Sequence, residues 1–166
     1  MKNFLIAIAL VVAFTGCGYR FTGSGTLPGG IQTVSVAIFE NRTAETGIEA
    51  TFANDLIYEF TRNGNTVRPV GQADASLTGV ISSMSIETVS RKGQITSLER
   101  QIKGTVSVTL TDREGKEIWS VKDISEEEAY GIMSEKVATD YNKRAAIDTL
   151  SRRLAERIYD RMTQTF

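Results

Sequence analysis

Histidine is absent from this 166-residue sequence, cysteine occurs once and proline twice. Without histidine, the chain lacks the commonest general acid/base and the commonest metal ligand. The lone Cys17 cannot form an intramolecular disulfide, and alone it makes no Cys/His zinc site. Charge of either sign is not in excess: 19 Lys and Arg stand against 20 Asp and Glu, a formal net charge of −1. That balance argues against a nucleic-acid binder, which carries a strong basic excess. No apolar run reaches the ~20 residues that a helix needs to cross a bilayer. The sequence therefore gives no expectation of an enzyme, a cofactor or a metal.

What is present begins with a leader. Lys2 is followed by an unbroken apolar run from Phe4 to Phe14. Its length fits the ~7–15 residues of a signal-peptide core. Phe14-Thr15-Gly16-Cys17 resembles a bacterial lipobox, with Phe14 where such boxes usually carry Leu. Residues 1–16 are thus expected to be a signal peptide and Cys17 the lipid attachment site. Several acyl chains on one cysteine hold firmly, at about 0.8 kcal/mol per buried CH₂. Gly18 rather than Asp follows Cys17, which favours the outer membrane over retention at the inner one.

Residues 17–30, with Gly23, Gly25, Pro28, Gly29 and Gly30, read as a lipidated N-terminus and flexible tether. Residues 31–166 read as a single domain. Ile31 to Phe39 is a first strand. Thr46-Gly47-Ile48-Glu49 has the form of a capping box. Ile48, Phe52, Leu56 and Phe60 then recur at helical spacing. Thr66 to Val70 is a short extended piece, and Pro69 assigns it to an edge. Ala75 to Val89 is a long strand whose apolar parity changes near Ser82-Ser83, which predicts a bulge or a change of packing layer. Leu98 to Thr111 alternates, with Leu98, Ile102, Val106, Val108 and Leu110 on one face. Polar residues fill the other face, so one side is buried and one wet. Asp112 to Lys116 is a turn, and Glu117 to Ile124 returns as the partner strand. Glu126-Glu127-Glu128 reads as a solvated loop or strand end. A helix from about Ala138 to Met162 closes the chain, with a seam of Ile147, Leu150, Leu154 and Ile158. The expectation is an α+β fold in the order β-α-β-β-β-α, with two helices on one face of a mainly antiparallel sheet of about four strands.

Several segments together resemble the LptE family of lipopolysaccharide-assembly lipoproteins. They are Cys17-Gly18-Tyr19-Arg20-Phe21, Leu27-Pro28-Gly29-Gly30-Ile31 and Phe39-Glu40-Asn41-Arg42-Thr43, followed by the helix from Gly47-Ile48-Glu49 to Phe60. A later hairpin with Gly115 and Trp119, and a terminal helix, complete the likeness. The resemblance implies two helices on a four-stranded sheet. It also implies an outer-membrane, periplasm-facing lipoprotein that plugs and helps assemble a β-barrel partner, LptD, and assists lipopolysaccharide on its way to the outer leaflet. An alternative from another class is a general envelope lipoprotein that binds peptidoglycan or another periplasmic complex. A third is a hydrolase working through the carboxylates of Glu126 to Glu128.

No compact family motif marks ligand contacts, so candidates come from chemistry. Lipopolysaccharide carries phosphates, for which Lys and Arg are the natural partners. Arg91, Lys92, Arg100 and Lys103 fall near one hairpin end and are the candidate contacts.

Overall fold

The computed structural model describes residues 27–89 and 98–164. Cys17, Arg91 and Lys92 lie outside the described residues, as do the expected signal peptide and most of the expected tether. Leu27 and Pro28, within that expected tether, are buried against the folded domain.

A single 3-10 turn, Pro28–Gly30, precedes β1 (Thr33–Val36), β2 (Glu40–Asn41), α1 (Ile48–Arg62), β3 (Thr66–Val67) and β4 (Ala75–Val89). Then follow β5 (Glu99–Asp112), β6 (Glu117–Gly131) and α2 (Lys136–Thr163). The strands form one six-stranded sheet in the order β3-β1-β4-β5-β6, with β2 also beside β4. β1 and β2 run parallel to β4, and β3 parallel to β1. The β4-β5-β6 meander is antiparallel. This is the expected α+β class and order, with two more strands than expected, each only two residues long.

One extra strand comes from a break in the expected strand Ile31–Phe39. The chain leaves the sheet after Val36 and rejoins it at Glu40. Ile38 is thereby 72% exposed, while Phe39 is buried. The cause is the phenyl ring of Phe39, which lies flat over Gly79. A Cβ at Gly79 would stand 2.2 Å from Phe39 Cε2. Only glycine leaves room for the ring, and the ring in turn stacks on Phe52 of α1 at 6.3 Å.

The parity change in β4 is a bulge between Ile81 and Ser83. The extra residue returns Met84 and Ile86 to the face of Leu77 and Ile81, so that they oppose Gly104 and Ile102 of β5. On β5, Ile102, Val106, Val108 and Leu110 are buried as their alternation predicts. Leu98 is not; it is 57% exposed, because it precedes the strand at the far end of the hairpin. β6 is longer than expected and absorbs Glu126–Glu128 into the ladder, pairing them with Gly104, Lys103 and Ile102.

Both helices cover one face. α1 buries Ile48, Phe52, Leu56 and Phe60, and α2 buries Ile147, Leu150, Leu154 and Ile158. The expected capping box does not form. Gly47 is the N-cap, with a left-handed φ of 86°, and has no side chain with which to cap the helix. The Glu49 carboxylate instead accepts from Asn41 Nδ2 at 3.0 Å. The helices run parallel, because their cross-contacts ascend both together: Glu45 with Lys143, Asp55 with Ser151, Arg62 with Glu156, and Asn65 with Tyr159. Phe60 meets the Tyr159 ring edge-on at 5.4 Å, and Tyr159 donates its hydroxyl to Asn65.

Two outcomes follow from this packing. Gly79→Ala drives a methyl into the Phe39 ring and is expected to cost about 1–3 kcal/mol in urea unfolding. Gly104→Ala meets only the movable Leu150 Cδ2, at 2.8 Å, and is expected to cost less. Asp55 is half-buried between the helices. Burial raises its pKa above the ordinary 3.8, opposed by the hydrogen bond from Ser151 and by Arg152. A carboxyl with a higher pKa in the folded state favours folding below its unfolded pKa, and that contribution disappears as pH rises through the folded value. Asp55→Asn is therefore expected to be no less stable than the native protein at pH 7 and to fall behind it towards pH 4, as thermal unfolding at both pH values will read.

Candidate functional site: the open face of the sheet

With both helices on one side, the opposite side of the meander has no helix over it among the described residues. Alternation along β5 places Gln101, Lys103, Thr105, Ser107, Thr109 and Thr111 on this open side, away from the buried residues between them. Strand pairing extends the polar row sideways: Thr109 lies between Thr78 of β4 and Ser120 of β6, and Thr105 opposite Ser125. Several hydroxyls donate to neighbouring strands. Thr78 bonds the Thr109 carbonyl at 3.4 Å and Ser82 the Thr105 carbonyl at 3.1 Å. Their oxygens keep acceptor capacity for an outside partner. The surface is hydroxyl-rich, and on β6 it also carries the carboxylate of Glu117, which accepts from Ser120, and by alternation Lys122.

Further charges lie towards the β4–β5 hairpin end. Glu127 accepts from Lys103 Nζ at 3.1 Å and from Gln101 Nε2 at 2.9 Å. Its neighbours point the other way, as strand geometry requires. Glu126 pairs with Arg157 and Glu128 with Arg153, both on α2. The acidic triplet is thus divided between two faces and occupied by three cations. Glu126 and Glu128, the two on the helix side, are held by different arginines. Among the described residues no group of three or more His, Cys, Asp or Glu side chains is placed to hold a metal ion.

The structure also separates two of the candidate lipopolysaccharide contacts. Arg100 and Lys103 are three positions apart on a strand and therefore face opposite sides. Arg100 lies opposite Tyr130 on the helix side, and Lys103 opposite Glu127 on the open side. They do not form one cluster, and Lys103 already has a carboxylate partner. Arg91, Lys92 and Cys17 lie outside the described residues.

A feature of this end that the sequence reading missed is apolar. Leu98, Met133, Val137 and Tyr141 are all more than half exposed, at 57%, 54%, 79% and 71%. The Ile132 N–H donates to the Leu98 carbonyl, and Thr139 ties Met133 to the first turn of α2, which brings these segments together. The i, i+4 spacing of Val137 and Tyr141 was the available signal. A cleft of about 520 Å³ opens between the start of α1 and the first half of α2. Among its lining charges Lys143 binds Glu45, and Asp140 binds Lys136 just beyond the lining.

The family profile described as LptE, lipopolysaccharide-assembly, matches residues 31–162. Among solved structures, a minor lipoprotein from Acinetobacter baumannii is similar at 16% identity and a TM-score of 0.53, over 81% of this chain and 92% of that one. Rare lipoprotein B from Shewanella oneidensis is similar at 16% identity and a TM-score of 0.51, over 80% and 95%. An uncharacterized lipoprotein B from Nitrosomonas europaea gives 14% identity and a TM-score of 0.53, over 89% and 92%. At these identities the likeness is one of fold. No curated protein matches the sequence.

The facing of β5 can be tested by energetic coupling. A double-mutant cycle of Lys103→Ala with Glu127→Gln is expected to show about 0.2–1 kcal/mol of coupling in urea unfolding. The cycle of Arg100→Ala with Glu127→Gln is expected to show none within error, because the sheet lies between them.

Proposed function

The chain belongs to the LptE lipopolysaccharide-assembly family, and from that premise we propose that it is an outer-membrane lipoprotein, anchored through Cys17, that plugs and helps assemble the β-barrel LptD. In the same role it assists delivery of lipopolysaccharide to the outer leaflet. The observation that carries the reading, beyond family membership, is the open hydroxyl-rich face of β4, β5 and β6. The lumen of a large outer-membrane barrel is polar and wet. A sheet that buries one face under helices and leaves a hydroxyl-rich, hydrogen-bonding face free suits such a wall. No described helix is long and apolar enough to cross a membrane, in keeping with attachment by lipid. A lipid tether would hold the domain near its barrel and raise their effective concentration.

Lipopolysaccharide contact is assigned to the hairpin end. Arg91, Lys92, Arg100 and Lys103 supply cations for phosphate. Leu98, Met133, Val137 and Tyr141 supply exposed apolar surface at the same end for acyl chains. The separation of Arg100 from Lys103 means that a single bound molecule would not use both from one face. The role needs no catalytic residue and no cofactor.

The tagged, lipidated protein, purified from detergent-solubilised outer membranes, is expected to bring down a large β-barrel protein in one-to-one amount. Cys17→Ala, which removes the anchor, is expected to lower that recovery at least several-fold. Recovery of the intact lipoprotein with peptidoglycan or periplasmic proteins but no barrel would overturn the plug reading in favour of an envelope scaffold.

A further inference from the structure

The three borders of the sheet are finished differently. β3 ends one border after two residues, with Pro69 close behind. β6 ends the other, and side chains of α2 reach over to it: Arg157 donates to the Ser125 carbonyl and Asn142 to the Gly131 carbonyl. The third border is the outer half of β4. β2 covers β4 only as far as Asn41 opposite Ile81, where Arg42 N–H donates to the Ile81 carbonyl. From Ser83 to Val89, β4 pairs with β5 alone among the described strands.

The direction of its free groups can be read from the ladder. Ile132 N–H donates to the Leu98 carbonyl, so Leu98 faces β6 and Glu99 faces β4. The register is unbroken from Glu99 opposite Val89 to Thr105 opposite Ser83. Ser83, Ser85, Glu87 and Val89 therefore turn their N–H and C=O groups towards β5, and Met84, Ile86 and Thr88 turn theirs outward. Native edges are commonly blunted with charge, proline or a covering element. This one carries a single charged residue, Glu87, and no proline, and Ile86 is 38% exposed beside it.

We propose that this edge, Met84 to Thr88, is completed by a β-strand that the barrel partner adds to it. The inference rests on the plug reading above. The open face assigned to barrel contact runs to this edge without interruption, because Ser85 and Glu87 belong to it opposite Lys103 and Gln101. This chain's own N-terminal segment enters on the far side of the sheet, where the turn at Gly29 packs on Ile118 of β6. A second copy paired here would make a double-width sheet, whereas a plug enters its barrel as one molecule. The added strand would be an extended segment with apolar side chains on the Met84 and Ile86 side and small, hydroxyl or basic side chains on the Ser85 and Glu87 side.

The test is amide hydrogen exchange at single-residue resolution on the wild-type lipoprotein, free and in the complex recovered from outer membranes. In the free protein, Ser85, Glu87 and Val89 are expected to exchange slowly and Met84, Ile86 and Thr88 fast. In the complex the three fast amides are expected to slow at least tenfold. Recovery of the barrel with these three amides unchanged would overturn the added strand and leave the plug reading standing. Failure to recover a barrel would overturn both. Ile86→Pro removes an outward N–H without touching the ladder to β5. It is expected to fold and to recover at least threefold less barrel, and undiminished recovery by the folded variant would count against the edge.

Discussion

The sheet can have only one buried side, and everything else in the molecule follows from keeping fifteen-residue strands faithful to it. Side chains alternate with a period of two, so one misplaced residue would turn the outer half of β4 inside out. The bulge between Ile81 and Ser83 shifts the period at the right place. Leu77, Ile81, Met84 and Ile86 then lie on the helix side, and Thr78, Ser85 and Glu87 on the other. The same bulge decides which amides of β4 point outward. The helix layer, the open face and the free edge all depend on that one extra residue.

Much of the fold was legible because burial writes a period into sequence. The stripes of α1 and α2, the alternation of β5, the turn at Asp112–Lys116 and the parity change of β4 were each visible. Local signals failed where tertiary contacts outbid them. Thr46 and Glu49 have the spacing of a capping box, but Asn41 on β2 holds Glu49, and Gly47 starts the helix instead. Ile31 to Phe39 is apolar enough for one continuous strand, yet the fit of Phe39 over Gly79 breaks it. The Glu126–Glu128 run looked like solvated chain because the arginines that pair with two of its members come from a helix some 25 to 31 positions later. Arg100 and Lys103 are near in sequence, but strand parity places them on opposite sides of the sheet.

The division of labour across the sheet is chemical. One side collects phenyl and branched aliphatic groups under two parallel helices, tied by the polar contacts from Glu45–Lys143 to Asn65–Tyr159. The other side presents hydroxyls whose own hydrogen bonds are modest and replaceable. A partner that is itself polar and hydrated can exchange water for such groups at little net cost. In a lipopolysaccharide-assembly lipoprotein, that leaves the free energy of folding on one side and the freedom to contact a large neighbour on the other.

The described residues at the outer ends of β4 and β5 contribute little to the core, since Leu98 is largely and Ile86 partly in solvent. The two strands can therefore be lengthened there without repacking the helices. The lengthening is quantised, however. Adding one residue to each strand lengthens the hairpin by about 3.3 Å but reverses which side chains face which way at its tip. Adding two restores the facing and extends the tip by about 6.6 Å. The strand pair behaves as a ruler with a two-residue graduation, extended while the domain beneath it stays unchanged.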